Sequence, residues 1–416
     1  MPNVSVAVIG AGIGGLALTL ALRQRGVDVE LYEQADRLVE IGAGLSLFAN
    51  SVKVLRSLGV ADAVGVKAAQ PQELLYRYGL TGDVLAAVPL GLGRRYETAF
   101  GTPYYTVHRQ VLQDALVEVA GLASIHRSHR LEGIISNGDG VELRWADGSA
   151  SRTDVVVGAD GIHSTVRRWI TGTENTRYSG TSGYRGIVDP SRVPALEARH
   201  SSQFWVAEGQ HLLNFPINTD ATRLNFLAVV EEPKRWTAPS WRLPATKEEA
   251  SEKFAGWHPA ILQMLNGVDS LERWALFVVE PLATWSKGPA VLLGDAAHGM
   301  LPHQGQGANS SIEDAVVLAD ILARCRVGEH ERAFRFYQDL RSSRTRRLQE
   351  ASWRTNEVLH LPRGDEFDAH YRKAPGYYTD RKWIYTYDAL TAVAAAGDHE
   401  DFPSVLDSTA DGTAAR

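Results

Sequence analysis

Asp295 closes an apolar run in "AVLLGDAAHGMLPHQGQGANSSIEDA", residues 290–315. An acid at the end of a strand in an open α/β sheet stands where ligand crevices form. After it comes a loop of small residues with two histidines. Ile312, Ala315, Val316, Ala319 and Leu322 then recur at helical spacing. Ser310 to Glu313, "SSIE", has the form of a capping box, which starts the helix near Asn309 and leaves Gly305 to Asn309 as its entry loop. Unbonded N–H groups at such a start carry partial positive charge. They suit an anion, or a ring system that becomes one.

Two further motifs carry chemistry. Gly10, Gly12 and Gly15 form G-x-G-x-x-G between the apolar strand "VSVAVI" and a helix, with Ile13 and Gly14 inside the turn. Gly10 permits the tight turn, Gly12 lets backbone approach a pyrophosphate, and Gly15 allows close helix–strand packing. Glu33 ends the second strand, where two acceptor oxygens can hold a ribose hydroxyl. The fingerprint by itself does not separate NAD from FAD. The other motif, "VVVGADGIHSTVRRWI", follows a buried strand with D-G-x-x-S-x-x-R: Asp160, Gly161, Ser164 and Arg167. An Asp there can fix a turn against a ligand, or serve only as an Asx-turn. His298 and His303 lack the third ligand and the acid or thiol company of a zinc site, so no metal is expected.

The elements that must position these residues follow from pattern. Residues 4–33 read as strand, helix, strand; "VGVKAAQPQELLYRYGLTGDVLAAVPL" reads as a hairpin; "VHRQVLQDALVEVA" reads as a helix. Residues 125–157 read as antiparallel strands around "NGDG" and "ADGS". "SQFWVAE", "HLLNFPI" and "RLNFLAVVEE" predict a second sheet, residues 245–268 and 311–360 predict helices, and the tail from 403 reads as disordered. The 416 residues suit two packed domains, one of them discontinuous. Its segments are 1–72, 101–177 and 276–360. A β-rich domain takes 73–100 and 178–275, and 361–402 forms a C-terminal helical or extended segment. The long apolar stretch at the N-terminus lacks a basic leader and is interrupted by glycines, unlike a signal peptide. A net charge of −6 with no basic stripe argues against nucleic acid. No other run is apolar enough to span a membrane, and one cysteine, Cys325, fits a reducing, cytoplasmic setting. Cys325 reads as a core or surface thiol, not a nucleophile.

The three motifs, in this order and spacing, resemble the single-component FAD-dependent aromatic hydroxylases, the class A flavoprotein monooxygenases of the salicylate or 6-hydroxynicotinate hydroxylase type. The likeness covers about residues 4–360, and "HR" at 108–109 with Leu112 and Leu116 fits the family's H-R-x-x-L helix. "WIYTYD" at 383–388 resembles a C-terminal segment of the same subgroup. The resemblance implies an α/β fold: a Rossmann-like FAD-binding (GR2-type) domain with an inserted β-sheet substrate domain and C-terminal helices. Glu33 would hold the adenosine ribose, Arg109 the diphosphate–ribitol region and Asp295 a ribitol hydroxyl. Asp160 and Gly161 would support FAD and the transient NADH or NADPH. Gly305, Gly307, Ala308 and Asn309 would lie against the pyrimidine side of the flavin, Gly44 would join the cofactor wall, and Pro302 would sit close to the reactive flavin carbon.

The implied reaction is hydroxylation of a small phenol-like aromatic by NAD(P)H and O2 through a flavin C4a-hydroperoxide, in a monomer or homodimer. Arg185, in "SGYRGIV", is expected near the flavin ring with Tyr184 beside it. "QHLLNFPI" puts His211, Leu213 and Phe215 on one strand face, and His211 is a candidate base. Hydroxynicotinate-type members carry a Tyr at the place of Phe215, which counts against a hydroxypyridine substrate. Tyr104, Tyr105 and Trp205 read as core. Epoxidation or decarboxylative hydroxylation by the same flavin chemistry are alternatives. A flavin-binding sensor or carrier without turnover is an alternative of another class. A halogenase is disfavoured, because no W-x-W-x-I-P segment is present.

Overall fold

The computed structural model describes residues 4–38, 44–121, 125–136, 140–233, 235–238, 240–326, 328–372 and 376–396. The tail from 403 and residues 137–139 of the "NGDG" turn lie outside the described residues. The N-terminal apolar run is two elements: β1 (Ser5–Ile9) and α1 (Ile13–Gln24), followed by β2 (Asp28–Tyr32). β1 pairs in parallel with β2 and with β11 (Val155–Gly158), and β11 with β19 (Ala290–Leu292). β7 (Ile125–His126) extends one edge in parallel, and β18 (Ser286–Lys287) closes the other antiparallel. β1, β11 and β19 are covered on both faces, so they read as unbroken apolar runs without alternation. A three-stranded antiparallel sheet, β8 (Leu131–Ser136), β9 (Val141–Trp145) and β10 (Ala150–Thr153), lies between β7 and β11 in the chain. α1 packs with α5 (Arg109–Ala120) and α10 (Gly307–Leu322) in the core of the parallel sheet.

The connection after β2 holds β3 (Gly44–Leu47), α2 (Ala49–Ser57) and α3 (Ala61–Gly65); β3 pairs with β6 (Tyr105–His108), which leads into α5. The second large sheet has eight strands. In order they are β16 (Arg242–Ala245), β17 (Leu271–Val279), β12 (Thr176–Val188), β15 (Leu224–Glu231), β14 (Gln210–Pro216), β13 (Ser202–Ala207), β4 (Glu73–Tyr78) and β5 (Val84–Pro89). The predicted hairpin β4–β5 therefore joins the strands predicted more than a hundred residues later. One face packs Tyr184, Trp205, Leu212 and Phe226 on α7 (Lys247–Lys253) and α8 (Pro259–Gly267). The other face packs Leu227, Val229, Leu276 and Val278 on Leu301. That leucine follows α9 (Asp295–His298). The sheet thus backs the Asp295 loop.

α4 (Arg95–Phe100) and the short helices α12 (Asp365–Arg372), α13 (Tyr377–Asp380) and α14 (Lys382–Tyr385) close an aromatic cluster around Phe48, Tyr96, Tyr104 and Tyr385. α15 (Ala392–Ala395) ends the described chain. α6 (Thr165–Thr171) follows β11, and α11 (His330–Leu359) runs behind α10 and the Asp295 loop.

Candidate active site

A cavity of about 890 Å³ opens at the carboxyl ends of β1, β2, β11 and β19. Gly10, Gly12, Ile13, Gly14, Glu33, Arg109, Asp160, Gly161, Asp295 and Ala308 line it. The glycines divide the work. Gly10 has φ +106, and a Cβ there would stand 2.5 Å from the Ala159 carbonyl oxygen. At Gly15 a Cβ would lie 1.9 Å from the Gly10 oxygen, so α1 touches the turn there. At Gly14 it would meet Leu293 Cδ2 at 2.7 Å. At Gly12 nothing among the described residues lies within 4 Å: that space belongs to the cavity. α1 has no side-chain cap and no acid in its first turn, so its leading N–H groups are left for an outside acceptor. Glu33 accepts from the Ala11 N–H and the Ala35 N–H, each at 2.9 Å, and is pinned on the cavity wall.

A second cavity of about 320 Å³ continues from the first. Arg109, His163, Asp295 and Ala308 border both. Gly44, Gly305, Gly307 and Pro302 line the second, with Pro302 opening a single 3-10 turn. Gly305 takes φ +62, and a Cβ there would approach Phe48 Cε2 to 3.0 Å.

The start of α10 corrects the capping-box expectation. The helix begins at Gly307, with no side-chain cap at Gln306. Ser310 and Glu313 lie inside it, fully buried. Glu313 is spent on Arg341 (2.6 Å), Arg344 (2.7 Å) and Asn50 (2.6 Å). Asn309 leaves the cavity wall too. Its amide donates to the Ser46 and Gly305 carbonyls and accepts from Phe48 N–H and Ser51 Oγ, stapling β3, α2 and the glycine loop together. Gly307 and Ala308 remain at the cavity.

Asp160 borders the first cavity, but its carboxylate is turned to α6. It accepts from Ser164 Oγ and from the N–H groups of Thr165 (2.7 Å) and Val166 (3.2 Å). The local Asx reading therefore describes its side chain, while Gly161, at φ +75, offers backbone. Arg167 is fully buried and donates to the Ala296 carbonyl at 2.9 Å, which ties this turn to α9. His298 binds Asp314 at 2.6 Å, and Asp314 also accepts from the Gly294 N–H at 3.1 Å and from Arg341 at 2.6 Å. Arg341 and His298 hold the Asp314 carboxyl down at about 2 against its burial. This buried ionic cluster fixes the turn that carries Asp295. Among the described residues no three His, Cys, Asp or Glu side chains group closely enough for a metal.

On the sheet side Arg185, Leu213 and Phe215 line the second cavity. Tyr184 does not. Successive strand residues point to opposite faces, so a cavity-facing Arg185 sends Tyr184 toward α7, where its hydroxyl donates to Glu249 at 2.9 Å. His211 shares the face of Leu213 and Phe215, but lies one step too far along β14 to reach the cavity wall. It is buried, with Nδ1 2.8 Å from His360 Nε2 and its ring edge-on to His303 at 4.9 Å. His360 in turn meets Glu231 at 3.2 Å. Burial pushes the ring pKa of His211 well down, and that of His303 to about 3. Trp205 lies in the core with its N–H on Asn214, and Tyr104 is buried against Ser46. Asn225, Trp241, Trp274 and Met300 line the cavity without having been singled out. The signal for Asn225 was a polar residue inside the apolar strand "LNFLAVVE".

The model of the FAD binding domain family matches residues 3–352. The chain belongs to the FAD binding domain family. It is 36% identical over 388 residues to a 3-amino-4-hydroxybenzoate 2-monooxygenase of Streptomyces platensis, covering 92% of this chain and 96% of that one. It is 35% identical to a 6-hydroxynicotinate 3-monooxygenase of Pseudomonas fluorescens, over 85% and 92% of the two chains. A solved salicylate hydroxylase substrate complex superposes with a TM-score of 0.81 at 28% identity, over 97% of this chain and 99% of that one. Like these members of the family, the protein is an FAD-dependent aromatic monooxygenase.

The family's cofactor fits the residues present. The free space at Gly12 beside uncapped N–H groups suits the pyrophosphate. Asp295 and Arg109, at the junction of the cavities, suit the sugar chain. The uncapped start of α10 suits negative charge on the ring. Among the described residues no helix is long and apolar enough to cross a membrane.

Proposed function

We propose that this monooxygenase hydroxylates a phenol-like aromatic acid, with NADH or NADPH as reductant and O2 as oxidant. The observation that carries this reading is Arg185. Its guanidinium lies 4.3 Å over the Trp274 ring at the cavity, and its buried Nε has no acceptor among the described residues. Burial and the neighbouring Arg109 lower its pKa to about 10, so it stays cationic at neutral pH. A half-buried cation with an unpaired inner nitrogen favours an anion entering beside it. Both curated relatives named above act on aromatic acids. Phe215 brings no hydroxyl, which favours a hydroxybenzoate over a hydroxypyridine.

FAD, when bound, supplies hydride acceptance and oxygen activation. The chain's own residues do the rest. Leu213, Phe215, Leu227, Leu276 and Trp274 make a dry wall that holds the ring and excludes water. Arg185 orients the acid group. Pro302 and the Gly305–Ala308 backbone set the edge against which the ring is presented. No protein nucleophile is needed.

The test is substrate-stimulated NADH and NADPH oxidation across hydroxylated benzoates and the matching neutral phenols, with product masses. The acids should stimulate oxidation and yield products one oxygen heavier. Arg185→Met should raise KM for the acids roughly 10- to 100-fold, the worth of one charge-assisted hydrogen bond of about 1.5–3 kcal/mol. It should leave the neutral phenols nearly unchanged. Equal use of phenols and acids by the wild type would refute the reading.

A further inference from the structure

Asn225 sits in a strand buried on both faces, where a polar side chain is retained only if it is bonded. Only half of it is. Its Oδ1 accepts from the Gly44 N–H at 2.8 Å. That N–H can only donate, so the amide is oriented and its NH2 must point the other way. There it donates to no group among the described residues, and Asn225 lines the second cavity. The staple is tight: a Cβ on Gly44 would lie 2.7 Å from Phe215 Cε2 and 2.8 Å from Asn225 Cβ.

Strand register places this donor relative to Arg185. Arg185 pairs with Leu227, and Leu227 with Leu213; two residues further along, Ile187 pairs with Asn225, and Asn225 with Phe215. Arg185 and Asn225 are thus one strand apart laterally and two residues apart lengthwise, roughly 8 Å between Cα atoms. A single substituted ring fits between a cation and an amide donor so placed, with the apolar side chains of Leu213, Phe215 and Leu227 flanking it.

We propose that Asn225 is a specificity-determining residue whose NH2 donates to the ring hydroxyl oxygen, or phenolate oxygen, of the substrate, while Arg185 holds its acid group. This rests on the reading above that the substrate is a hydroxylated aromatic acid. The amide then selects rings that carry a hydrogen-bond acceptor at that place, and stabilises the oxygen as its proton leaves.

Two variants of the holoenzyme separate this role from stapling alone. Asn225→Asp keeps an oxygen for the Gly44 N–H but removes the donor; Asn225→Ala removes both. Binding of the best hydroxylated acid, and of the same acid without its hydroxyl, is read from the change in the flavin absorption band. KM and kcat are measured for the former, and flavin content is checked. Asn225→Asp should retain its flavin. In both variants the preference for the hydroxylated acid over its dehydroxy analogue should fall at least tenfold, and KM should rise. An unchanged preference in Asn225→Asp, or equal weakening of both ligands in both variants, overturns the proposal. If the wild type oxidises NAD(P)H with no hydroxylated aromatic acid, the wider reading fails first and this one with it.

Discussion

Gly12 and Gly15 should fail in opposite ways when a methyl group is added. Gly12 has φ −69 and ψ 179, which alanine adopts without strain, and its Cβ would meet no atom of the described residues within 4 Å. Folding should lose at most about 1 kcal/mol, the scale of a helix N-cap change. The methyl group would instead occupy the space left for the pyrophosphate. Displacing that group from two N–H donors removes two charge-assisted bonds of about 1.5–3 kcal/mol each. Even the low end, about 3 kcal/mol, weakens FAD roughly a hundredfold. In Gly15→Ala the Cβ would stand 1.9 Å from a backbone oxygen, so α1 must move off the turn. Overpacking of that kind costs about 1–3 kcal/mol or more of stability before any ligand is added. The assays are FAD titration by fluorescence quenching and the thermal midpoint without added FAD. Gly12→Ala should lose affinity and keep its midpoint; Gly15→Ala should lose its midpoint. A Gly12→Ala protein that binds FAD like wild type refutes the placement of the pyrophosphate.

Other outcomes follow from buried charge. Arg341→Met leaves Glu313 and Asp314 buried without their main cation, and unfolding in denaturant should reveal a loss of about 3–5 kcal/mol. His211, His303 and His360 are held neutral by burial, with Glu231 opposing only at His360. Their folded pKa values lie below the unfolded value of about 6.5, so the cluster costs nothing above that pH. Below it the unfolded chain takes up protons that the folded chain refuses, and stability falls by up to about 1.4 kcal/mol per pH unit per ring. The thermal midpoint should therefore drop between about pH 6.5 and 5, and less steeply in His211→Gln. Burial pushes the Cys325 thiol up to about 11, so iodoacetamide at mildly alkaline pH should label the unfolded chain far faster than the native one.

What could be read in the sequence was whatever is local. The glycine fingerprint, Glu33 and the strand before Asp295 each signal through neighbours a few residues away, and each stands on the first cavity. Helical spacing from Ile312 onward placed α10, yet "SSIE" misled, because a capping box and two buried residues bound to a distant helix look alike in sequence. Arg341 lies 28 residues beyond Glu313, and nothing near either announces the pair. The faces of β12 were equally illegible: Arg185 and Tyr184 are adjacent, and which one meets the cavity depends on helices α7 and α8 from another part of the chain. Period 2 correctly grouped His211 with Leu213 and Phe215, but it could not tell where along the strand the cavity ends.

α11 has a mechanical consequence. At about 1.5 Å per residue its 30 residues make a rod roughly 45 Å long. Arg341 grips α10, Gln349 holds the Gly299 carbonyl, Thr355 holds Gln304, and His360 at the far end touches β14. One continuous helix thus ties α10, the turn of Pro302 to Gln304 and the end of β17 to one another. Loosening one of these ties, as in Gln349→Ala, should therefore be felt as altered coupling between reductant consumed and product formed.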